Sequence, residues 1–361
     1  MKEITTHTHQ RQRRAARLRT YCRASIAIAA PAPADAPRNR ILVGDAVEQL
    51  RRLPEHSVDT IVTSPPYHLL RRYGGGQGEI GTETHIEEYV DQIVAVCDEL
   101  AGVLKPSGSL WLNLGDSFSR HRRYGATPKS MLLAPERILL ALAARGWIVR
   151  SKVIWAKTNH LPSSVRDRLT LSWEPLYFLT RSPQYYFDLD AIRVPHRSRR
   201  GLRKTFNGRY AVAKPEWVGP LAGSNDGLMK AHAEGRVGHV LGKNPGDVWR
   251  LATAGFRGAH VAAFPEKLVE RPILAACPER TCENCGQPWQ RPAGIDGQAL
   301  EPTCQCDAGW QPGVVLDPFM GSGTVGVVAT RHGRDWLGVE LNPVYAADAT
   351  KRIAGTERPP P

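Results

Sequence analysis

Short apolar runs alternate with amphipathic stretches along most of the chain after residue 39. Runs rich in β-branched residues predict buried strands, and apolar positions three and four residues apart predict helices. The alternation is typical of an α/β fold, here a doubly wound, Rossmann-like sheet of seven strands. The predicted strands lie at residues 41–43, 60–63, 110–114, 153–155, 176–179, 314–317 and 336–339. The clearest predicted helices lie at residues 86–104 and 135–145, the second ending before Gly146.

Three segments depart from this alternation. Residues 1–39 are basic and then rich in alanine and proline, without a sustained hydrophobic period, so we expect a disordered tail. Residues 190–245 combine glycine, proline and basic residues with weak periodicity, and residues 277–312 hold a cluster of cysteines. Both are predicted to be inserts in the sheet.

The chain of 361 residues carries a net charge of +13, which is unevenly distributed. Residues 1–40 and 190–245 each carry seven net positive charges, so the remaining positions are nearly neutral. Because Lys and Arg neutralise phosphates, two basic segments on a neutral body favour a polyanionic partner such as nucleic acid. A solubilising tail and a charged loop would give the same counts.

The sequence contains no apolar run long enough to span a bilayer and no long apolar segment near its N-terminus. We therefore expect a cytoplasmic protein. The Arg-rich start also resembles an organellar transit peptide, but a solvated basic tail explains it equally well.

Five of the seven cysteines lie close together in the sequence. Cys282-x-x-Cys285 is followed after 18 residues by Cys304-x-Cys306, which supplies the four thiolates of a tetrahedral zinc site. Without a secretion signal, such a cluster favours a metal over disulfides. Four protein ligands leave no open coordination position, so the predicted zinc is structural. Cys277 is an alternative ligand, and reduced cysteines without a metal are the alternative to a zinc site.

The first stretch with candidate chemistry is Thr63-Ser64-Pro65-Pro66-Tyr67, at the end of the predicted strand 60–63. Proline removes a ladder donor and restricts the residue before it, so the strand stops abruptly in a rigid turn. In open α/β sheets, ligands bind beyond the carboxyl ends of the strands, where this turn is predicted to lie. A hydroxyl, proline carbonyls and an aromatic ring in a rigid turn suit a flat, polar ligand.

The second stretch is Asp317-Pro318-Phe319-Met320-Gly321-Ser322-Gly323-Thr324, between a predicted strand and a predicted helix at 325–332. Glycines allow a ligand to approach the backbone closely, and the helix N-terminus adds positive potential. Glu340 ends the next strand, where a carboxylate can accept hydrogen bonds from ribose hydroxyls. The spacing of Gly321, Gly323 and Gly326 also fits the G-x-G-x-x-G pattern of NAD(P)-binding proteins. A phosphate-binding P-loop is excluded because no Lys-Ser/Thr follows the glycines.

Together, the two stretches resemble the motifs of S-adenosylmethionine-dependent DNA amino-methyltransferases. Their order resembles the β class, in which the proline-tyrosine motif precedes the target-recognition region and the cofactor glycine motif comes last. Gly44-Asp45 and residues 109–116, 153–159 and 264–268 fit the same family, so the resemblance covers about residues 40–353. It implies a circularly permuted strand order. The implied organisation is a tail (1–39), a catalytic half (40–189), a target-recognition region (190–245), a return to the methyltransferase domain (246–276), a zinc-binding insert (277–312), a cofactor-binding half (313–353) and a short tail (354–361).

This resemblance implies direct transfer of a methyl group to the exocyclic amine of a base that is flipped out of the duplex. Ser64 and Pro65 would accept the amine N–H groups, Pro66 would add rigidity, and Tyr67 would stack on the base. The implied cofactor-binding residues are Asp45, Phe264, Asp317, Pro318, Phe319, Gly321, Ser322, Gly323, Thr324 and Glu340. Asp45 and Phe264 have structural alternatives, as a helix cap and a core residue.

Two features bear on the chemical target. No Pro-Cys dipeptide is present to supply the nucleophile of carbon-5 cytosine methylation, which favours amine methylation. Ser64 stands where adenine-modifying relatives more often carry Asp or Asn, which favours cytosine N4 over adenine N6. An NAD(P)-dependent oxidoreductase and a non-catalytic zinc-containing nucleic-acid-binding protein are the alternatives from other classes.

The expected partner is double-stranded DNA, with a separate cognate restriction endonuclease if the protein serves a restriction-modification system. The basic insert is the predicted recognition region. Its candidate DNA contacts are Arg193, Arg197, Arg199, Arg200, Arg203, Lys204 and Arg209.

Overall fold

An eight-stranded sheet forms the centre of the structure, a computed structural model that describes residues 36–71, 74, 78–196, 239, 241–254, 264–291 and 299–360. The strands of this sheet are β1 (Arg40–Val43), β2 (Val58–Thr63), β3 (Leu104–Asn113), β4 (Ile148–Lys157), β5 (Trp173–Thr180), β6 (Val248–Leu251), β9 (Val314–Asp317) and β10 (Asp335–Glu340). Two further strands, β7 (Thr281–Cys282) and β8 (Trp310–Gln311), pair in a separate small sheet.

The strand order in the main sheet is β1-β10-β9-β2-β3-β5-β4-β6. All neighbours pair in parallel except β5, which is antiparallel to both β3 and β4. The predicted α/β architecture is confirmed, but the predicted number of strands is wrong because β6 adds an eighth. This edge strand has four residues, of which only Trp249 is buried, so its sequence pattern is too short to predict a strand.

Helices cover both faces of the sheet. One face packs against α1 (Ala46–Leu50), α2 (Ile86–Val103) and α3 (Ala134–Ala144), and the other against α4 (Glu266–Ala276), α5 (Thr324–Arg331) and α6 (Pro343–Ala354). Successive residues of a strand point to opposite faces, so Ile61 belongs to the first apolar core and Val62 to the second. The predicted long helices are confirmed as α2 and α3, and Gly146 follows α3 with a φ of 85°. Within the described ranges, no helix has the length and hydropathy needed to cross a membrane.

A buried ion pair near the start of β2 ties the central strands together. Lys105 Nζ lies 2.7 Å from Asp59 Oδ1, and each side chain is only 3% exposed. The second carboxylate oxygen of Asp59 accepts a 2.9 Å hydrogen bond from the amide of Val314, the first residue of β9. Thr60 Oγ1 donates to the carbonyl of Ala276 at 2.7 Å. These contacts hold β2 in place relative to β3, β9 and α4.

Candidate active site

The two motif-bearing turns meet at one edge of the sheet. β2 ends at Thr63, β9 ends at Asp317, and the two strands pair in parallel. Thr63 Oγ1 donates a 2.7 Å hydrogen bond to Asp317 Oδ1, although the residues are 254 positions apart in sequence. The turn after β2, residues 64–67, is called the proline turn, and the turn after β9, residues 318–323, the glycine turn. The two turns therefore border one crevice.

A cleft of about 620 Å³ opens at this edge. Among the predicted site residues, its wall contains Asp45, Ser64, Pro65, Pro66, Tyr67, Phe264, Pro318, Phe319, Gly321, Ser322, Thr324 and Glu340. Asp317 and Gly323 are outside the wall, although the sequence predicts cofactor contacts for both. Asp317 is fully buried behind the wall, between the two turns.

A chain of hydrogen bonds connects the proline turn to three neighbouring strands. Tyr67 OH lies 2.8 Å from Glu174 Oε2 and 3.1 Å from Asn113 Oδ1. Ser64 Oγ lies 3.3 Å from the same Asn113 oxygen and 3.3 Å from Tyr67 OH. Glu174 is ion-paired through its other oxygen with Lys157. The hydroxyls of the proline turn are thus held by groups on β3, β4 and β5.

Asn113, Lys157 and Glu174 line the cleft, and no role is predicted for any of them from the sequence. Asn113 and Lys157 end their strands, so they reach the same sheet edge as the proline turn. Glu174 lies near the start of β5, and it reaches that edge only because β5 runs antiparallel. A polar residue at the end of an apolar strand is a usable signal for the first two residues. Glu174 could not be predicted in this way, because its position at the cleft depends on the direction of β5.

The ring of Tyr67 is fixed in position by the backbone around it. A Cβ added at Gly115 would lie 2.3 Å from this ring, so a residue without a side chain is needed there. Burial, and next the negative charge of Glu174, raise the pKa of Tyr67 well above its usual value, so the hydroxyl stays protonated and donates. The Tyr89 hydroxyl donates to the carbonyl of Pro66 at 2.8 Å, which secures the turn and engages one of its two proline carbonyls.

The glycine turn and Glu340 hold each other. Glu340 accepts hydrogen bonds from the amides of Gly321 at 2.8 Å and Asn342 at 2.9 Å, one at each carboxylate oxygen. These bonds place the carboxylate at the end of β10, facing the cleft. Gly323 plays a different part, because its φ is 77° and an added Cβ would lie 3.0 Å from Ala349 in α6. Its lack of a side chain serves helix packing.

Burial raises the pKa of both carboxylates near the glycine turn. Asp317 Oδ1 accepts from Thr63 and from the amide of Phe319 at 3.0 Å, and Oδ2 has no partner among the described residues. Desolvation raises the pKa of Asp317 to about 7. It also raises the pKa of Glu340, against the hydrogen bonds from the amides. A carboxylate that is desolvated in this way is stabilised in its ionised form when a cation or a hydroxyl donor binds beside it.

Asp45 caps a helix and Phe264 is a core residue, as in the alternatives to cofactor binding, and both residues also line the cleft. Asp45 caps α1, and its Oδ1 accepts a 3.0 Å hydrogen bond from the amide of Glu48. Phe264 packs against the apolar core beneath α4 and α5. Both residues nevertheless line the cleft, so a structural role and a ligand contact are compatible.

Four of the clustered cysteines come together in space. The sulfur atoms of Cys282, Cys285, Cys304 and Cys306 all lie within 4.8 Å of one another. Cys277 is outside this group, because it is fully buried in the apolar core of the sheet. The cluster contributes no residue to the cleft. Cys282 pairs with Trp310 in the small sheet, shortly before β9 begins at Val314, so the cluster is connected to the amino end of β9.

One predicted DNA contact already has partners within the protein. Arg193 Nε lies 2.6 Å from Asp190 Oδ1, and Nη1 donates to the carbonyl of Gly242 at 3.1 Å. Arg193 therefore links the two described ends of the basic insert, and its contact with DNA stays a prediction. Residues Arg197, Arg199, Arg200, Arg203, Lys204 and Arg209 lie outside the described residues.

Comparison with known proteins assigns the chain to a family. A family model described as DNA methylase, of the N6/N4 type, matches residues 58–351. The type II methyltransferase M.Cfr9I of Citrobacter freundii is 33% identical over 336 residues, covering 87% of this chain and 87% of that protein. The type II methyltransferase M.SmaI of Serratia marcescens is 31% identical over 335 residues, covering 87% and 90% respectively.

The fold is similar to that of a solved enzyme. The PvuII DNA methyltransferase, described as cytosine-N4-specific, superposes with a TM-score of 0.52 and 19% identity, covering 87% of this chain and 89% of that one. The family match also argues against an NAD(P)-dependent oxidoreductase, because that alternative depended only on the spacing of three glycines. This chain belongs to the S-adenosylmethionine-dependent DNA amino-methyltransferases.

Proposed function

We propose that the protein methylates the exocyclic N4 amine of cytosine in double-stranded DNA, acting on a base flipped out of the duplex. The observation that carries this proposal is Ser64, a hydroxyl held in a rigid turn at the wall of the cleft. An exocyclic amine is a poor nucleophile because its lone pair is delocalised into the ring. Fixed acceptors for its N–H groups favour the pyramidal nitrogen that can attack a methyl group.

The hydrogen-bond network supports an acceptor role for Ser64. A hydroxyl has one proton and two lone pairs, and a carboxylate only accepts. Tyr67 has its shorter contact with the charged Glu174, so its proton goes there. Asn113 Nδ2 donates to the Pro175 carbonyl at 3.1 Å, which turns Oδ1 toward Ser64. The Ser64 proton then points at Asn113, and a lone pair is left for the amine of the base.

The cleft has groups that fit S-adenosylmethionine. Glu340 would accept hydrogen bonds from the ribose hydroxyls. Asp317 is buried behind the wall, so its carboxylate would act on the ammonium of the methionine part through its charge and not through direct contact. Phe264 and Phe319 would pack against the apolar parts of the cofactor. When bound, S-adenosylmethionine supplies the sulfonium methyl group. Tyr67 would stack on the extruded base and hold its amine beside Ser64.

Digesting methylated DNA to nucleosides and identifying the product by mass tests this function. We expect N4-methylcytosine when the purified protein is incubated with DNA and S-adenosylmethionine, and none when the cofactor is omitted or replaced by NADH. N6-methyladenine would establish the alternative target within the family. The absence of any methylated nucleoside, together with DNA binding, would support the non-catalytic alternative.

We also propose that the cysteine cluster binds one structural zinc ion. Thiolates within 4.8 Å of one another suit tetrahedral Zn²⁺, and the four ligands complete its coordination. Because the cluster is remote from the cleft, the ion would hold the segment before β9 and would not take part in methyl transfer.

Replacing Cys304 with serine is expected to remove the zinc and lower the melting temperature by roughly 5–10 °C, because metal-binding energy is folding energy. Elemental analysis and calorimetry measure both quantities. Cys22→Ser is the control and should retain one zinc per chain. A protein purified without zinc, with a melting temperature unaffected by Cys304→Ser, would contradict the proposal.

The relatives named type II methyltransferases suggest a biological setting. A methyltransferase of this kind protects the sites of a separate restriction endonuclease, so we propose a role in a restriction-modification system. The cytoplasmic location expected from the sequence and the basic recognition region at 190–245 belong to the same proposal.

A further inference from the structure

The connection between β4 and β5, residues 158–172, exposes four large apolar side chains, those of Leu161, Val165, Leu169 and Leu171. Leu161 is 86% exposed and Leu169 is 90% exposed, the highest values for large apolar side chains in the described part of the chain. Exposing such side chains to water is unfavourable, and isolated cases are common on protein surfaces. Of these two leucines, only Leu161 also lines the cleft.

Contacts along its length hold this connection in place, and at its second end the Ser172 carbonyl accepts a 2.8 Å hydrogen bond from the Lys157 amide. Asn159 Oδ1 accepts a 2.7 Å hydrogen bond from the amide of Thr253. Asp167 pairs with Lys129 at 2.7 Å, and the Arg168 guanidinium lies 3.6 Å from the centre of the Phe118 ring. Leu161 is therefore presented at the mouth of the cleft by an ordered segment.

The surrounding surface is basic. Residues 117–131, which anchor the connection, contain Arg120, Arg122, Arg123 and Lys129 and no acidic residue. The connection adds Arg166 and Arg168, and its one acidic residue, Asp167, is paired. All six basic side chains belong to exposed residues. Outside residues 1–40 and 190–245 the chain is nearly neutral, so a net-charge count does not show this local excess of positive charge.

We propose that residues 117–131 and 158–172 form a DNA-contacting face, in which Leu161 enters the space that the extruded base leaves in the duplex. The proposal rests on the proposed base-flipping function. Flipping a base costs the energy of unpairing and unstacking it. An apolar side chain that fills the gap restores part of the lost stacking, and Leu is among the residues that proteins insert between base steps. The arginines would hold the neighbouring phosphates.

DNA fits this surface better than a protein partner does. A protein interface has a continuous apolar core with few charges. Here the residues between Leu161 and the other exposed apolar residues of the connection, Val165, Leu169 and Leu171, are mostly polar or charged. Leu161 lies at the cleft that would receive the base. An almost fully exposed apolar side chain at the cleft, on a surface that carries six exposed basic residues, matches a duplex with a gap in its stack.

Methylation rates of Leu161→Ala on two duplexes test the proposal. Both oligonucleotides contain the site that the enzyme methylates; in one the target base is paired, and in the other it lies opposite an abasic position. We expect kcat/KM of Leu161→Ala to fall by about 10- to 100-fold on the paired duplex, since the variant must unstack the base without a filler. On the second duplex, where extrusion is easier, the variant should be within about threefold of the wild type.

Leu140→Ala is the matched control, because Leu140 is 71% exposed on α3 and does not line the cleft. It should behave as wild type on both duplexes. Equal rates for Leu161→Ala and wild type on the paired duplex would overturn the proposal, as would an equal loss on both duplexes. A change of oligomeric state in Leu161→Ala would instead make a second copy the occupant of this surface. If the wild type methylates neither duplex, the proposed function itself fails.

Discussion

Replacing Asp59 with alanine is expected to lower the free energy of unfolding by about 3–5 kcal/mol, because the change leaves a buried lysine without its counter-ion. Lys105 and Asp59 are each only 3% exposed, so water cannot take over the lost contact. The substitution also removes the acceptor for the amide of Val314, where β9 begins. Urea unfolding followed by circular dichroism measures the change.

Two comparison variants separate the effect of burial on the free energy of unfolding from the effect of the ion pair itself. Asp98 and Arg145 form an ion pair at 3.3 Å whose side chains are about half exposed. Asp98→Ala should therefore change stability by less than about 1 kcal/mol. The double variant Asp59→Leu/Lys105→Met should recover the part of the loss that comes from the unpaired charge, while the Val314 amide stays without its acceptor. A loss of similar size in Asp59→Ala and Asp98→Ala would contradict this account.

The chemistry of the two turns was predictable from the sequence because the residues that carry it are contiguous in the chain. Thr63 to Tyr67 and Asp317 to Thr324 are short, each follows an apolar strand, and prolines or glycines specify the backbone after it. A strand end is also where an open α/β sheet binds ligands, so the location followed from the pattern. The sequence cannot state that β2 and β9 are neighbours, but the resemblance to a family implied it.

What the sequence did not reveal depends on strand order and direction. Glu174 enters the cleft because β5 is adjacent to β3 and antiparallel to it. The role of Gly323 in packing against α6 depends on a helix that begins 20 residues later. The basic residues of 117–131 are not singled out by a count of charge over the whole chain, because their grouping with residues 158–172 depends on contacts in the folded protein. Long-range contacts of this kind leave no periodic signal.

Replacing Ser64 with alanine is expected to lower kcat by about 10²- to 10³-fold, the loss typical of removing one preorganised hydrogen-bonding partner from a reacting group. The KM values for DNA and S-adenosylmethionine should change by less than about threefold, because the acceptor acts on the amine nitrogen during methyl transfer and contributes little to binding. Single-turnover methylation measures the effect on the chemical step.

Tyr67→Phe is the comparison that isolates the role of the network. The variant keeps the ring for stacking and loses the hydroxyl that donates to Glu174, so we expect a smaller loss of kcat than in Ser64→Ala. Both variants should unfold at the temperature of the wild type within about 2 °C, since each removes a polar group at the cleft surface and no core volume. Since the chemistry places an acceptor at position 64, a kcat of Ser64→Ala within about threefold of wild type would show that the Pro65 carbonyl and the rigid turn suffice. The hydroxyl would then no longer be evidence for cytosine over adenine.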